Sequence, residues 1–271
     1  LKKSIDHKAL FEGFQNTPKL WTTDELFSLK QFHIQNTNVN FITEPKSKPL
    51  RLGKWIEAYT SFQLKKQTGI EIISENTKIN RDKQTIGELD FLFLKDSQPI
   101  HLEIAYKFYL FDHTQNYNDA ITPWIGPNRN DSLLFKIEKL RDKQLPLLYR
   151  KETREVLQKH SLNPDNFQQF VNLKAQLYLP YHQKLTDNKP LNTQCIYGWH
   201  LGFDNLEMLQ EHLFYIPEKL EWLKEPVDSV VWLKFEEAQS AILEYIERNQ
   251  SPLCWIKNTH NEIQKCFITW W

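Results

Sequence analysis

Two acids in the middle of the chain lie where their side chains could meet. Asp90 sits in TIGELDFLF and Glu103 in HLEIAYKFYL, two apolar runs separated by the short polar stretch KDSQP. Runs of this kind around such a turn predict an antiparallel hairpin. The side-chain period of two then sets Glu88 and Asp90 on one face, and Glu103, Ala105 and Lys107 on one face of the neighbouring strand. Asp90 and Glu103 converge among Leu89, Phe91, Leu102 and Ile104, where two bare charges resist joint ionisation. A divalent cation, Mg2+ or Mn2+, resolves that conflict. It binds through one or two carboxylates, waters and phosphate oxygens, and Lys107 adds a positive charge beside it. One ion between the acids implies carboxylates about 3 to 6 Å apart. A plainer reading makes the same pair edge-strand charges that discourage aggregation.

The elements that must hold these residues follow from periodicity. Residues 50–66 place Leu52, Trp55, Ile56, Tyr59 and Phe62 at helical spacing, with Gly69 as a stop. Strand-like runs follow at 69–74, 85–94 and 100–110, then a loop containing PWIGPNRND, a helix over 132–145 capped by Asp131, and a strand at 172–180. Helix, three strands, helix and strand make an α/β layout with a mixed sheet. No repeat, low-complexity tract or Gly/Ser-rich linker interrupts it, which predicts one continuous domain.

On the second helix Leu133, Ile137, Leu140 and Gln144 form one stripe bordered by Lys136 and Lys143. These polar groups could hold a phosphate, or the lysines could simply extend into solvent. Glu57 projects roughly 170° from the apolar stripe of the first helix, which by itself predicts a solvated side chain. His101 is assigned to the strand face opposite Glu103, as a core or surface histidine rather than a general base. Among nine tryptophans, most expected in the core, Trp124 beside Asn128 and Arg129 is the candidate for stacking on a nucleic-acid base.

Composition narrows the field. The 34 basic and 34 acidic residues cancel, so any basic surface is local. Residues 126–154 hold eight basic against four acidic, and 202–250 hold eleven acidic against four basic, a bias that can orient a polyanion. The seven glycines include no G-x-G pair, which excludes the common phosphate-cradling loops and with them a nucleotide cofactor. No G-x-S-x-G or H-E-x-x-H occurs. Cys195, Cys254 and Cys266 form no C-x-x-C; Cys254, His260 and Cys266 could meet on a metal, but their apolar surroundings favour buried thiols. No apolar run approaches the ~18 residues of a membrane helix, and LKKSIDHKAL lacks a signal-peptide core, so a soluble cytoplasmic protein is expected.

Glu57 in LGKWIEAY, Asp90 in GELDF, and Glu103 with Lys107 in HLEIAYKF resemble the PD-(D/E)XK nuclease superfamily. Together with WIGPNRNDSLLFKIEKLRDKQL they are similar, more narrowly, to the bacterial family domain of unknown function 1853. The resemblance implies a restriction-endonuclease-like α-β-β-β-α-β core over about 50–200, with N-terminal and C-terminal elaborations, the latter about 201–271. It also implies that Glu57 is an accessory metal contact. The superfamily's acid and lysine stand two residues apart, whereas Glu103 and Lys107 are four apart, about 13 Å along a strand, and Ala105 holds the usual lysine position. Lysines in the superfamily migrate, so the catalytic one is Lys107 or Lys136. Lys107 is favoured because it shares a strand with Glu103.

The expected activity is hydrolysis of DNA or RNA, with Asp90 and Glu103 on the metal and the strand running past Arg129, Lys136, Gln144 and Lys143. The alternatives are a nuclease-fold protein that binds nucleic acid or a protein without cutting, and a purely structural or interaction protein.

Overall fold

Alternating and helical patterns resolve, in a computed structural model describing residues 5–39, 41, 50–184 and 189–271, into five α-helices and eleven strands among the described residues. The first half holds α1 (His7–Asn16), β1 (Glu25–Leu26), β2 (Leu29–Lys30), α2 (Leu52–Lys65), β3 (Ile70–Arg81), β4 (Gln84–Lys95), β5 (Gln98–Phe111) and β6 (Trp124–Ile125). The second holds α3 (Leu133–Lys139), α4 (Lys151–Gln158), β7 (Gln168–Pro180), β8 (Ile196–Gly202), β9 (Leu213–Tyr215), α5 (Phe235–Ile246), β10 (Leu253–Lys257) and β11 (Ile263–Thr269). Nine of these strands form a mixed sheet, ordered β3-β4-β5-β7-β8-β11-β10-β9 with β6 paired to β5. The outer pairs are antiparallel, while β7 with β8 and β8 with β11 run parallel. The expected α/β class with a mixed sheet and flanking helices is what forms.

The residues pack as two compact units. One comprises Trp21–Tyr106 and Phe135–Lys174, the other Leu1–Leu20, Lys107–Leu134 and Ala175–Trp271. Strands β5 and β7 each contribute residues to both.

In the first unit β4 and β5 form the predicted hairpin. Lys95 pairs with Gln98, and Asp96 and Ser97 between them take φ of 50° and 69°, the left-handed conformation that matches a two-residue turn to strand twist. Gly69 (φ 77°) donates its flexibility to the same corner: a Cβ there would strike the Asp96 carboxylate. Strand β3 continues to Arg81 rather than ending at Ser74. Its second half, ENTKINR, carries no apolar alternation. It stays a strand because it lies at the edge of the sheet order, where polar side chains are tolerated and discourage stray pairing. Leu89 and Leu92 pack with Leu147, Leu148, Leu157 and Phe167.

The helix predicted over 132–145 is α-helical only to Lys139. Leu140–Gln144 form a π turn and Leu145–Tyr149 a 3-10 turn. Pro146 has no N–H and cannot extend an α-helix. The wider turn that precedes it presents Gln144.

Candidate active site

The β4–β5 ladder runs from Lys95–Gln98 to Phe91–Leu102 and goes no further among the described residues. Asp90 and Glu103, the next pair in register, stand at the opening. Each carboxylate takes over a backbone group the ladder would have used. Ile104 N–H donates to Asp90 Oδ2 at 2.9 Å, and Asp90 N–H donates to Glu103 Oε1 at 3.4 Å. The acids therefore lie on adjacent antiparallel strands and interact with one another, as the hairpin predicted. Glu103 is fully buried and Asp90 half-buried.

Burial raises both acids, Asp90 to about 8, with the charge of Glu103 adding to the effect, and Glu103 to about 7 despite its donors. The pair thus holds a proton near neutral pH unless a cation takes its place. Lys136 acts on both carboxyls in the opposite sense.

Two side chains, Gln144 and His101, orient Glu103. Gln144 Nε2 donates to Oε2 at 2.5 Å, while Gln144 Oε1 accepts from Lys136 Nζ at 2.8 Å. Eight residues span about 12 Å of helix rise, so the two long side chains meet only because both lean toward Glu103. On the inner side His101 Nε2 lies 2.9 Å from Glu103 Oε1. Its tautomer follows from its neighbours. Gln169 Nε2 donates to the Leu145 carbonyl at 2.7 Å and stands 2.9 Å from His101 Nδ1, so Nδ1 accepts and Nε2 carries the proton to Glu103. Burial lowers His101 to about 4, against the pull of Asp90, so the ring is neutral.

This corrects the sequence reading of His101. Residues 101 and 103 are two apart and share a strand face, so the period of two already put the ring beside Glu103. The partner Gln169, on another strand, carried no sequence signal.

At the outer rim Lys54 Nζ donates to Glu57 Oε2 at 2.7 Å and lies 3.4 Å from Glu88 Oε1. Burial lowers Lys54, but the bonds and charges of Glu57 and Glu88 outweigh it and its affinity for the proton rises. Glu57 is near enough to Asp90 to raise it further. Its side chain is only 18% exposed, not solvated as the stripe predicted. Helix α2 buries Thr60, Ser61 and Gln63 as well as its apolar stripe, so it is covered over more than one face. A Cβ on Gly53, one turn before Glu57, would meet nothing within 4 Å.

Other candidates lie elsewhere. Lys107 Nζ donates to Asp131 Oδ2 at 2.6 Å, which gives that carboxylate a role other than the predicted helix cap. Lys136, rather than the favoured Lys107, is the lysine joined to the carboxylate cluster. Lys143 is exposed. Arg129 donates to Asp112 Oδ2 at 2.9 Å and lies 4.5 Å over the Trp271 ring. Trp124 is wholly buried against Phe111 and cannot stack on a base. Cys254 and Cys266 are paired across β10 and β11 as buried free thiols, and His260 is exposed. No described helix is long and apolar enough to cross a membrane.

The model of a family described as Domain of unknown function (DUF1853) matches residues 15–268. No curated protein and no solved structure matches the chain.

Proposed function

The chain belongs to the family Domain of unknown function (DUF1853), and we propose, from its own residues, that it is a divalent-metal-dependent nuclease with Asp90 and Glu103 at its centre. The observation that carries this reading is the acid pair at the opening of the β4–β5 ladder, with Lys136 and Gln144 against it. A structural ion pair would balance two buried carboxylates with neighbouring cations. Here burial leaves both acids above their ordinary range, as expected of a site that exchanges a proton for a cation. The succession α2-β3-β4-β5, then the short β6, α3, α4 and β7, supports a restriction-endonuclease-like core with two insertions.

Mg2+ or Mn2+ fits this donor set in a particular way. Among the described residues no group of three His, Cys, Asp or Glu side chains could hold a metal ion. An ion would rest on Asp90 and Glu103, with waters and a phosphate oxygen completing its coordination, the usual Mg2+ mode. When bound, it supplies Lewis acidity and an activated water. The protein's own contribution is orientation and charge: His101 and Gln144 fix Glu103, and Lys136 stabilises negative charge on the scissile phosphate. Exposed Lys143 and Arg150 extend a cationic path for the strand.

The test is incubation of the full chain with plasmid, single-stranded DNA and RNA in Mn2+, comparing the native protein with Glu103→Ala. Cleavage by the native chain and background rates from the variant are expected. Equal cleavage by both would remove Glu103 from the reaction. A second reading, binding without cleavage, draws on the same geometry, because His101 and Gln144 already occupy both Glu103 oxygens. Native protein that retains a strand in Mn2+ without cutting it would favour that reading.

A further inference from the structure

The flank of α3 that borders the acid pair carries an exposed aromatic ring among cations. Lys136 leans down the helix to Gln144 Oε1, and Gln144 in turn reaches Glu103, which puts this flank at the site. Lys139 stands three residues after Lys136 and four after Phe135, so the three are neighbours on the helix surface. Phe135 is 55% exposed. Lys139 is exposed, as is Lys143 in the π turn that follows. The apolar stripe of the helix is complete without Phe135, since Leu133, Ile137 and Leu140 are the buried residues. Nearby acids do not cancel the lysines. Asp142 is held by Arg141 through bonds of 2.6 and 2.8 Å, and Glu138 projects about 160° from Lys136 round the helix.

The opposite sign gathers toward α2, where Glu57 and Glu88 share Lys54. Cations therefore line the site along α3 and acids line it near α2, which suits one phosphate backbone and repels a second. A paired base in a duplex presents its edges in the grooves, its faces being covered by its neighbours. In a single strand those faces are free to stack on an aromatic side chain while the backbone follows a basic strip.

We propose that the polymer taken at this site is single-stranded nucleic acid, with an unpaired base stacked on Phe135 and its phosphates running along Lys139 and Lys143. The inference rests on the nucleic-acid reading of the acid pair and adds which form of the polymer binds there. Strand selection is a property of binding, so it is measured apart from turnover.

The test is fluorescence anisotropy of the full chain with labelled oligothymidylate, oligouridylate and a DNA duplex, each of ~12 nucleotides per strand, in Ca2+ in place of Mn2+, with a gel to check that every strand stays intact. The single strands should bind at least about tenfold more tightly than the duplex. Phe135→Ala should lose about 5- to 100-fold for the single strands, the range for one base stack, and about twofold or less for the duplex, while Phe135→Trp retains native affinity. Phe27→Ala removes an exposed ring from the β1–β2 turn of the same unit and should bind as the native chain does. Thermal melts establish that each variant is folded; if Phe135→Ala is not, Phe135→Leu, which loses the ring and keeps most of the volume, takes its place. Duplex bound as tightly as single strand, an equal loss for both as a ring wedged between duplex base steps would give, a folded Phe135→Ala that binds normally, or no binding of any of the three would each overturn the inference. Single strands retained without cleavage in Mn2+ would remove the nuclease reading and leave strand selection standing, whereas cleavage of duplex in preference to single strands would do the reverse.

Discussion

The Asp90–Glu103 pair and Lys265 are both ionisable groups removed from water, one in each unit of the chain, and their surroundings are chemical opposites. The acids are raised by burial and met by donors: the Gln144 amide, the neutral His101 ring and the Ile104 N–H. The lysine is lowered by burial and met by acceptors, the Gln176 and Trp222 carbonyls. In each case the bonded partners named here are neutral groups that orient it. On the proposed function the acid pair is prepared for a cation, whereas a structural salt bridge carries its countercharge with it. Arg129 with Asp112 and Lys107 with Asp131 illustrate the latter.

The sharpest way to break this contrast is to exchange the lysines. Lys136→Met should lower cleavage by ~10²–10³-fold with folding intact, the cost of removing one preorganised electrostatic contact, whereas Lys107→Met should leave the rate nearly unchanged. The reverse outcome, read in the same plasmid assay, would return the role to Lys107. A smaller effect tests the inner support of Glu103. His101→Phe and Gln169→Leu should each weaken Mn2+ binding by ~10–100-fold, the range for partners that orient a metal ligand. Titration of Mn2+ by electron paramagnetic resonance measures this without reference to turnover, and unchanged affinity would reduce both residues to packing.

Reversing charge at Lys136 and Lys143 together should reduce affinity for every nucleic-acid sequence alike and flatten its salt dependence by up to about two phosphate contacts. The same change at Lys219 and Lys224 should do little, because Lys219 lies over Trp222 and Lys224 pairs with Glu221. Equal losses from both pairs would discard this surface. The smallest effect concerns pH. Asp90 and Glu103 hold their protons more tightly folded than unfolded. Their contribution to stability is complete below the ordinary carboxylate range near 4 and declines as pH rises through about 7 to 8. The melting temperature without added metal should therefore fall by a few °C, roughly, from pH 5 to 8. Asp90→Asn should flatten that slope, and a native melting curve insensitive to pH would show that the acids are already compensated.

Where local rules suffice, the sequence was informative. Period-two alternation and a two-residue polar turn were enough to join β4 to β5 and bring Asp90 beside Glu103, because a hairpin's register is set by its own residues. The stripe ending at Gln144 likewise put an amide on the helix face directed at the sheet. His101 is equally legible, since positions 101 and 103 differ by two and share a strand face. Strand β3 beyond Ser74 was harder to see, since its polar residues become a strand only through pairing with β4.

The residue types, the hairpin and the acid pair were determined by the sequence alone. The tertiary structure decided which lysine joins them, whether Glu57 is solvated, where Arg129 and Trp124 place their side chains, and that Lys265 passes beside Gly198 to the neutral oxygens of Gln176 and Trp222. Those outcomes depend on which distant side chain arrives first at a buried charge. Burial energies and hydrogen-bond geometry settle that in three dimensions, and no periodicity along the chain encodes it.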